Sequence, residues 1–516
     1  MRYTTPCIAV IAFILLVINI GCSKTDKGAP NAPSGDQSAV DDSHGAPGQS
    51  DRPELRFYLS DQAMVVPAQI KRFEQYMSEH AGIALDIVYL PHAQYLEQLN
   101  LKFAGSDFPD MYQIWSGPTP DLVSGGKVLV LNDLIDQYGP NMKRFIPQSA
   151  WDAVTVQGNI YAVPQPTETL QGSIMYIRKD WLDKLELDIP TTSDELLDVM
   201  RAFRDGDPNG NGLPDEIPFT MREKLEWGEN IFGMWGVNSK YTESYYNDEL
   251  VMGSVHPRFL QGLDYMRIMY AERLLDRDFL VNTLSIWDQK ITAGLVGIWN
   301  HTPRAAWKWQ QALEASIPEQ APEVIAIRTP QGAGYDGPVG TRWSTIGKTF
   351  IIMKDAKDPV AIIKYLDWLF TEEGRRFTEY GIEGETYTKQ GEHIIFHNNS
   401  ETDIDFLQKV IAAHAISAEA SAAILDNPLA GEKLQMAYDI ADAQGFASET
   451  IGMPNINNDY NLHSLYIEAS ALVIIGERPV QAYSDFIDVW KNNGGQTFID
   501  ERTAWYRDNR LGIQRP

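Results

Sequence analysis

Three short apolar segments decide the fold: LRFYL at residues 55–59, ALDIVYL at 84–90 and MYQIW at 111–115. The stretch VVPAQIKRFEQYMSEHAG (65–82) lies between the first two, and its apolar residues recur at helical spacing. A second helical stretch, Tyr95 to Phe103, precedes the third segment. This alternation predicts an α/β fold with a mainly parallel sheet. The carboxyl ends of such strands face the ligand crevice.

The first residues are typical of a secretory signal. Arg2 precedes an apolar run from Cys7 to Ile18, which is shorter than the roughly 20 apolar residues that a membrane-spanning helix needs. Gly21 and Cys22 follow in an order that resembles the bacterial lipobox, in which the cysteine is acylated and becomes the new N-terminus. We predict a lipoprotein signal peptide at 1–21 and lipidation, including palmitate, at Cys22. An ordinary secretory signal followed by an accidental cysteine is the alternative.

The cysteine count supports the lipid anchor. The chain has two cysteines, and Cys7 lies in the segment that is removed, so no internal disulfide is expected and Cys22 needs another role. Residues 22–52 consist mostly of Ser, Gly, Pro, Ala and Asp and bury too little apolar surface to fold. A flexible segment of this length spans about 30 Å. We therefore predict a tether.

Composition limits the partners of the remaining chain. The formal net charge of -27 argues against nucleic acid and against adsorption to anionic lipid. With 44% hydrophobic residues, the chain can build two or more lobes around large cores. We expect a monomer on the extracytoplasmic face of the cell membrane, held there by its lipid.

Ordered motifs across nearly the whole mature chain resemble the family of extracellular solute-binding proteins that serve oligosaccharide importers, including alginate-binding and maltose-binding-like members. These motifs are FAGSDFPDMYQIW at 103–115, GKVLVLNDLIDQYGPNMKRFI at 126–146, GNIYAVPQP at 158–166, IRKDWLDKLELDIPTTSDELLDVMRAF at 177–203, GLVGIWN at 294–300, DPVAIIKYLDWLFTEEGRRFTEYGIEGETYT at 358–388 and, near the end of the chain, IIGERPVQAYSDFIDVWKNNGG.

The resemblance implies a type II periplasmic-binding-protein fold, in which two discontinuous α/β lobes joined by a hinge close on a sugar. The N-terminal lobe would comprise 53–165 and 297–348, and the C-terminal lobe 166–296 and 349–516. The chain would cross between them near Pro164–Thr169 and near Val296–Asn300.

The segment DPNGNGLPDE at 207–216 predicts a calcium site. Oxygen side chains at alternate positions, followed by a carbonyl and a carboxylate, are what a hard cation needs from a tight loop. A plain Asn/Gly turn is the alternative. The resemblance to alginate-binding members adds Glu216 to the ligands. The predicted set is Asp207, Asn209, Asn211, Leu213, Asp215 and Glu216, and the expected role of Ca²⁺ is structural.

Sugar recognition needs aromatic surfaces for the apolar pyranose faces and fixed polar partners for the hydroxyls. The resemblance points to three places where a tryptophan stands in a suitable position, and more weakly to further residues. The primary candidates are Trp115, Trp299 with Asn300, and Arg342 with Trp343. The further candidates are Ser60, Asp61, Gln165, Glu168, Trp235 and Tyr387.

Catalytic motifs are weak in this sequence. Glu383 and Glu385 lie two residues apart in one loop, which gives neither the opposed faces nor the controlled separation that glycosidases use. We therefore predict a non-enzymatic binding protein that delivers an oligosaccharide to the permease subunits of an ABC transporter. A secreted carbohydrate-active enzyme, such as a polysaccharide lyase or hydrolase, and a sugar-sensing co-receptor are the alternatives.

Overall fold

The structure is a computed structural model that covers most of the chain beyond residue 53. It describes residues 54–62, 65–115, 120–167, 169, 172–237, 243–341, 346–391, 393–397, 400–423, 428–446, 449 and 460–509. The predicted signal peptide, the tether, Cys22, Glu168, Arg342 and Trp343 lie outside these ranges. Within them, no helix combines the length and apolar character that crossing a bilayer requires.

The described strands form sheets of five and four strands and three two-stranded hairpins. In chain order they are β1 (Glu54–Ser60), β2 (Ala84–Leu90), β3 (Met111–Ile114), β4 (Thr155–Val156), β5 (Asn159–Ile160), β6 (Val163–Pro166), β7 (Ile174–Arg178), β8 (Ile217–Phe219), β9 (Glu243–Tyr246), β10 (Glu249–Met252), β11 (Val296–His301), β12 (Val324–Ile327), β13 (Ile346–Ile352), β14 (Tyr387–Gln390) and β15 (His393–Phe396).

The α-helices cover both sheets. They are α1 (Ile70–Ala81), α2 (Tyr95–Ala104), α3 (Pro120–Ser124), α4 (Asn132–Tyr138), α5 (Pro140–Phe145), α6 (Gln148–Ala153), α7 (Lys179–Lys184), α8 (Ser193–Asp205), α9 (Glu229–Gly233), α10 (Phe259–Ala271), α11 (Leu284–Thr292), α12 (Ala306–Ser316), α13 (Pro359–Trp368), α14 (Glu372–Tyr380), α15 (Ser400–Phe406), α16 (Ala418–Ala423), α17 (Pro428–Gln444), α18 (Tyr460–Ile474), α19 (Tyr483–Trp490) and α20 (Gln496–Asn509). A π-helical turn, Leu407–Ile411, continues α15.

The first sheet has the strand order β2-β1-β3-β13-β6. β1 is parallel to β2, with Glu54 opposite Ala84 and Ser60 opposite Leu90, and it is also parallel to β3. β13 lies between β3 and β6 and is antiparallel to both. The alternation predicted for residues 55–115 is confirmed, because each strand is followed by a helix whose apolar face joins the same core.

The second sheet has the order β12-β7-β11-β8. β11 is antiparallel to β7 and parallel to β8, so the carboxyl ends of β8 and β11 lie at the same edge. One core of this sheet includes Trp181 of α7 and Phe203 of α8, and the other includes Trp309 of α12. The second sheet therefore has helices packed on it that are separate from those of the first.

The division of the chain between the sheets differs from the predicted lobe boundaries in two places. β11 and β12 pair with β7, so residues 297–327 belong with the second sheet rather than the first. Conversely, the helical region 359–411 contributes buried residues to the core of the first sheet. Long-range strand pairing decides the first assignment and packing of helices on the sheet decides the second. Neither is specified by the local sequence of the element.

The order of the described elements requires three passages from one sheet to the other: after β6, after β12 and, at 412–417, before α16; we call these connections the first, second and third crossing segments. The first agrees with the crossing predicted near Pro164–Thr169. The crossing predicted near Val296–Asn300 is wrong, because β11 lies wholly within the second sheet. The first and third crossing segments line the candidate site.

Candidate ligand site between the two sheets

Polar and aromatic side chains meet at the carboxyl edge of the first sheet. Ser60 Oγ, at the end of β1, lies 3.0 Å from His92 Nδ1, which follows β2. The backbone N–H of His92 donates to Asp61 Oδ1 at 2.9 Å. The ring of His92 contacts the ring of Trp115, which follows β3, edge to face at 4.8 Å. The parallel strands thus bring together three predicted residues and His92, which sequence reasoning missed because the histidine follows a proline in a short turn.

A cavity of about 240 Å³, here called the crossing cavity, lies where the chain passes between the sheets. Its walls come from the end of β6 and the first crossing segment, from the residues after β11, from the start of β13 and from the third crossing segment. The lining residues are Gln165, Pro166, Thr167, Thr169, Gly172, Thr302, Pro303, Arg304, Gly347 and Ala415. Residues of the first sheet and residues that follow β11 of the second sheet therefore line one partly open space.

Gln165 is the predicted residue that the structure brings to this cavity. Its side-chain amide donates to the carbonyl oxygens of Ala412 at 2.9 Å and His414 at 3.0 Å. These bonds orient the amide group and connect the end of β6 to the third crossing segment.

Arg304 links the two halves beside the crossing cavity. It follows β11, and its neighbour Ala305 is buried in the core of the second sheet. Its guanidinium donates to Asp405 Oδ1 at 3.2 Å and to Gln408 Oε1 at 2.5 Å. Both acceptors lie in the helical region that packs on the first sheet. Sequence reasoning missed Arg304, because nothing in its local pattern shows that these distant residues face it.

Trp299 and Asn300 are not presented to the crossing cavity. Trp299 is 0% exposed and packs against the rings of Tyr176 at 6.2 Å and Trp309 at 5.7 Å. Helix α12 covers the end of β11, so the side chain enters the core instead of forming the stacking surface that we predicted. Asn300 is also buried, and its Nδ2 donates to the carbonyl oxygen of Trp227 at 2.9 Å.

Trp235 and Tyr387 also lie in packed surroundings. Trp235 is 4% exposed, and its indole N–H donates to the carbonyl oxygen of Ala333 at 3.1 Å. Tyr387 is 1% exposed and contacts Tyr380 at a ring distance of 5.9 Å; burial raises its pKa to about 12. Neither residue lines the crossing cavity, so the structure separates both from the residues that do.

Trp227 was not predicted, yet it lies at the carboxyl edge of the second sheet. Its partly buried ring stacks on His301, the last residue of β11, at a centroid distance of 4.4 Å and an angle of 28°. Lys224, Leu225 and Trp227 all have positive φ angles, between 60° and 62°. Left-handed non-glycine residues cost about 1–3 kcal/mol each and cluster at ligand sites. The local sequence of this segment, KLEWGEN, predicts neither the left-handed backbone nor the stacking on His301.

The predicted calcium loop, Asp207–Glu216, folds as a tight turn after α8. Gly210 and Gly212 have positive φ angles, and the backbone N–H of Gly212 donates to Asp207 Oδ2 at 3.1 Å. The side-chain amides of Asn209 and Asn211 both donate to Asp215 Oδ1 at 3.0 Å. In the part of the chain that the structure describes, no group of three acidic, histidine or cysteine side chains is arranged to hold a metal.

The donor atoms of this loop nevertheless fit a cation. Asp207 Oδ1 and Glu216 Oε1 are buried and have no hydrogen-bond partner among the described residues. Burial raises the pKa of Glu216, and the nearby charges of Asp215 and Asp207 raise it further. A bound cation would satisfy both oxygens and reverse the charge repulsion.

Residues 61–376, more than half of the chain, match the family described as bacterial extracellular solute-binding protein. This chain belongs to that family. The solute-binding protein is 22% identical over 467 residues to Lipoprotein LipO of Bacillus subtilis, which covers 84% of this chain and 88% of LipO. It is 28% identical over 247 residues to the fructooligosaccharide ABC transporter substrate-binding protein FusA of Streptococcus pneumoniae, over 43% of this chain and 44% of FusA.

Solved structures confirm the two-lobed α/β fold of this solute-binding protein. A protein described as an HMO binding ABC-transporter associated solute binding protein, from Bifidobacterium longum infantis, superposes with a TM-score of 0.70 at 17% identity, over 89% of this chain and 99% of its own. An EF-hand mutant of FusA in complex with fructo-nystose gives a TM-score of 0.67 at 17% identity, over 89% of this chain and 100% of its own.

Proposed function

We propose that this solute-binding protein captures an oligosaccharide at the crossing cavity and delivers it to the permease subunits of an ABC importer without changing it chemically. The observation that carries this proposal is that one cavity is lined by strands of the first sheet, by residues that follow β11 of the second sheet and by two crossing segments. A ligand there contacts both lobes at once, so it favours the arrangement in which they are closed. The described functions of FusA and of the Bifidobacterium protein support a sugar as the ligand.

The groups around the cavity suit a hydroxyl-rich guest. Gln165, Thr169 and Thr302 offer amide and hydroxyl groups without a net charge. Trp115 adds an aromatic surface at the neighbouring edge of the first sheet. Ser60 and Asp61 hold His92 in place there. Glu168, Arg342 and Trp343 remain predicted contacts, and Arg342 would pair with a carboxylate if the sugar is a uronate.

A panel of oligosaccharides tests the function. We expect saturable binding of at least one member of a series of malto-, xylo-, fructo-, galacturono- and milk-type oligosaccharides of one to four units, measured by calorimetry. Binding should reduce the radius of gyration in small-angle scattering, because the lobes close. The sugar should be recovered intact, with no new reducing ends. New reducing ends would instead support a hydrolase or a lyase, and an absence of binding across the panel would contradict the proposal.

A lipid at Cys22 would hold the protein to the outer face of the membrane. The relative LipO is named as a lipoprotein, which supports this anchor. We expect the Cys22→Ser variant, expressed with its own signal, to appear in the soluble extracytoplasmic fraction, whereas the wild type sediments with membranes and incorporates labelled palmitate. A control Cys7→Ser variant should behave like the wild type, because that residue is removed with the signal. Equal fractionation of both variants would rule out the anchor.

We also propose that the loop Asp207–Glu216 binds Ca²⁺ as a structural ion. Asp207, Asn209, Asn211, Asp215 and Glu216 would supply side-chain oxygens and Leu213 its carbonyl. The ion would fix the connection between α8 and β8. The EF-hand in the description of FusA supports this assignment.

A further inference from the structure

The loop that presents Trp227 is held in a conformation that its residues do not prefer. Of the residues 224–227, three have left-handed backbone angles and none of the three is glycine. The backbone N–H of Arg222 donates to the carbonyl oxygen of Glu226 at 2.9 Å, and that of Glu223 to the carbonyl oxygen of Asn282 at 3.1 Å. Such strain persists only where the surroundings impose it.

Packing on both sides imposes this conformation. Leu225 is 0% exposed and anchors the loop in the core of the second sheet. On the far side of Trp227, a methyl group added at Gly228 would lie 2.9 Å from Met221 Sδ, so the chain approaches the core closely there as well. Between these anchors, Glu226 and Trp227 both stay partly exposed, and Trp227 is the one with an aromatic side chain. The strained loop thus holds the indole ring of Trp227 partly exposed, with its Nε1 atom buried against the second sheet.

The ring of Trp227 rests on a rigid aromatic base. His301 lies 4.4 Å from it and Trp287 6.4 Å, both nearly parallel to the Trp227 ring. Trp309 contacts His301 edge to face at 5.5 Å. Burial lowers the pKa of His301 to about 3, so the base is uncharged at neutral pH. We call Trp227 with His301 beneath it the platform.

The platform is next in the chain to residues that line the crossing cavity, although Trp227 and His301 themselves do not line it. His301 is followed in the chain by Thr302, Pro303 and Arg304, which line that cavity. The cavity, at about 240 Å³, is smaller than the roughly 300–1,000 Å³ of pockets that enclose drug-sized ligands. It therefore encloses only a small part of an oligosaccharide, and the remainder must lie outside it.

We infer that Trp227 forms a second sugar subsite next to the crossing cavity, where the apolar face of a further sugar ring stacks on the indole. This inference rests on the proposed function and deepens it, because it requires that the ligand have at least two sugar rings. The ring that stacks on the platform is either uncharged or carries its charge on the side that points away from the indole. An indole face and a pyranose C–H face are both apolar, and their contact excludes water from both. The Asn300 side chain fixes the position of the platform through the carbonyl oxygen of Trp227.

The alternative account is that Trp227 only completes the core. The two accounts predict different melting temperatures for a variant with glycine at position 227. Glycine adopts left-handed angles without strain, so Trp227→Gly removes the backbone cost along with the side chain. If the ring serves a ligand, the melting temperature of this variant should stay within about 2–3 °C of the wild type while binding is lost. If the ring serves the core, the melting temperature should fall well beyond that.

The test measures affinity against chain length by calorimetry, with the best-binding series of the oligosaccharide panel. We expect the wild type to bind the three-unit sugar about ten-fold or more tightly than the one-unit sugar. Trp227→Ala and Trp227→Gly should reduce that ratio to about two or less and leave binding of the one-unit sugar nearly unchanged. Trp505→Ala is the matched control, because Trp505 is also partly buried but lies on α20, whose residues Phe498 and Ile499 belong to a different core cluster. It should keep the wild-type ratio.

Each other result overturns the inference. An unchanged ratio in both Trp227 variants means that no sugar ring rests there. An equal loss of affinity for both sugar lengths, with a lower melting temperature of Trp227→Gly, assigns the ring to the core. If the wild type binds no sugar of the panel, the proposed function fails first, and that result is distinct because it precedes any variant.

Discussion

Removal of Ca²⁺ with EGTA is expected to lower the melting temperature of the wild-type protein by several degrees. A ligand that binds only the folded state stabilises it by about 4 kcal/mol when its free concentration is about 1,000 times the dissociation constant. At the proposed site, a bound ion would stabilise the fold by satisfying the buried, unpartnered oxygens of Asp207 and Glu216. The measurement is thermal unfolding at neutral pH in 1 mM Ca²⁺ and in EGTA.

Variants of the loop Asp207–Glu216 test whether the EGTA-dependent change in melting temperature arises from this loop. In Asp207→Ala, the melting temperature should be lower than in the wild type with Ca²⁺, and EGTA should cause no further change. Asp205→Asn is the matched control, because Asp205 pairs with Arg204 on the surface two residues before the loop. It should remain sensitive to EGTA. The calcium assignment would be abandoned if EGTA shifted wild type and Asp207→Ala equally, since the ion would then bind elsewhere.

The second large effect is expected at Lys348, a buried lysine on β13. Its amine donates to the carbonyl oxygens of Lys409 and Val410, both at 2.9 Å, and no described carboxylate pairs with it in an ion pair. Burial lowers its pKa from 10.5 to about 7. The unfolded chain therefore binds this proton more strongly than the folded chain does. Stability is lost as the pH falls from about 10.5 to about 7, and the loss is complete below that range.

The variant Lys348→Met removes the ionisable group. A pKa shift of this size corresponds to at most about 5 kcal/mol of folding free energy. The stability of the variant minus that of the wild type should therefore be larger at pH 6 than at pH 9.5. The measurement is the free energy of unfolding in urea at the two pH values. His414, the neighbouring histidine, has its pKa lowered to about 4 by burial and stays neutral throughout this range.

The control for this comparison is Lys364→Met. Lys364 is exposed on α13, where its amine lies over the ring of Tyr138 at 5.1 Å. The difference in stability between this variant and the wild type should be nearly independent of pH. If Lys348→Met behaved in the same way, the amine of Lys348 would have to be charged in the folded protein at pH 9.5.

The fold of the first 60 residues of the globular region could be predicted from local pattern. The spacing of apolar residues and the turn residues that define its strands and helices all lie close together in the sequence. The segments 55–59, 84–90 and 111–115 are all strands in the predicted order. Assigning β11 to a sheet failed for a different reason. Its apolar sequence identifies a strand, but its partners β7 and β8 lie 77 or more residues away and are chosen by packing.

The candidate site shows the same limit. The family resemblance pointed to Ser60, Asp61 and Trp115, and the structure places them together because strand ends of a parallel sheet converge; their contact with a ligand stays a prediction. Trp299 ends a strand in the same way, yet α12 covers it, and no local feature distinguishes the two tryptophans. Trp227 was missed because its left-handed backbone and its contact with His301 arise only in the folded chain.

The position of β13 has a consequence for biogenesis. β13 fills the gap between β3 and β6, although about 180 residues separate it from β6 in the chain. Until residue 352 has emerged, β3 is an open edge with unpaired backbone groups, which invites association between chains. The first sheet therefore cannot complete its folding before β13 is available. A chain that is exported in extended form avoids exposing this open edge if it stays unfolded until translocation has delivered β13.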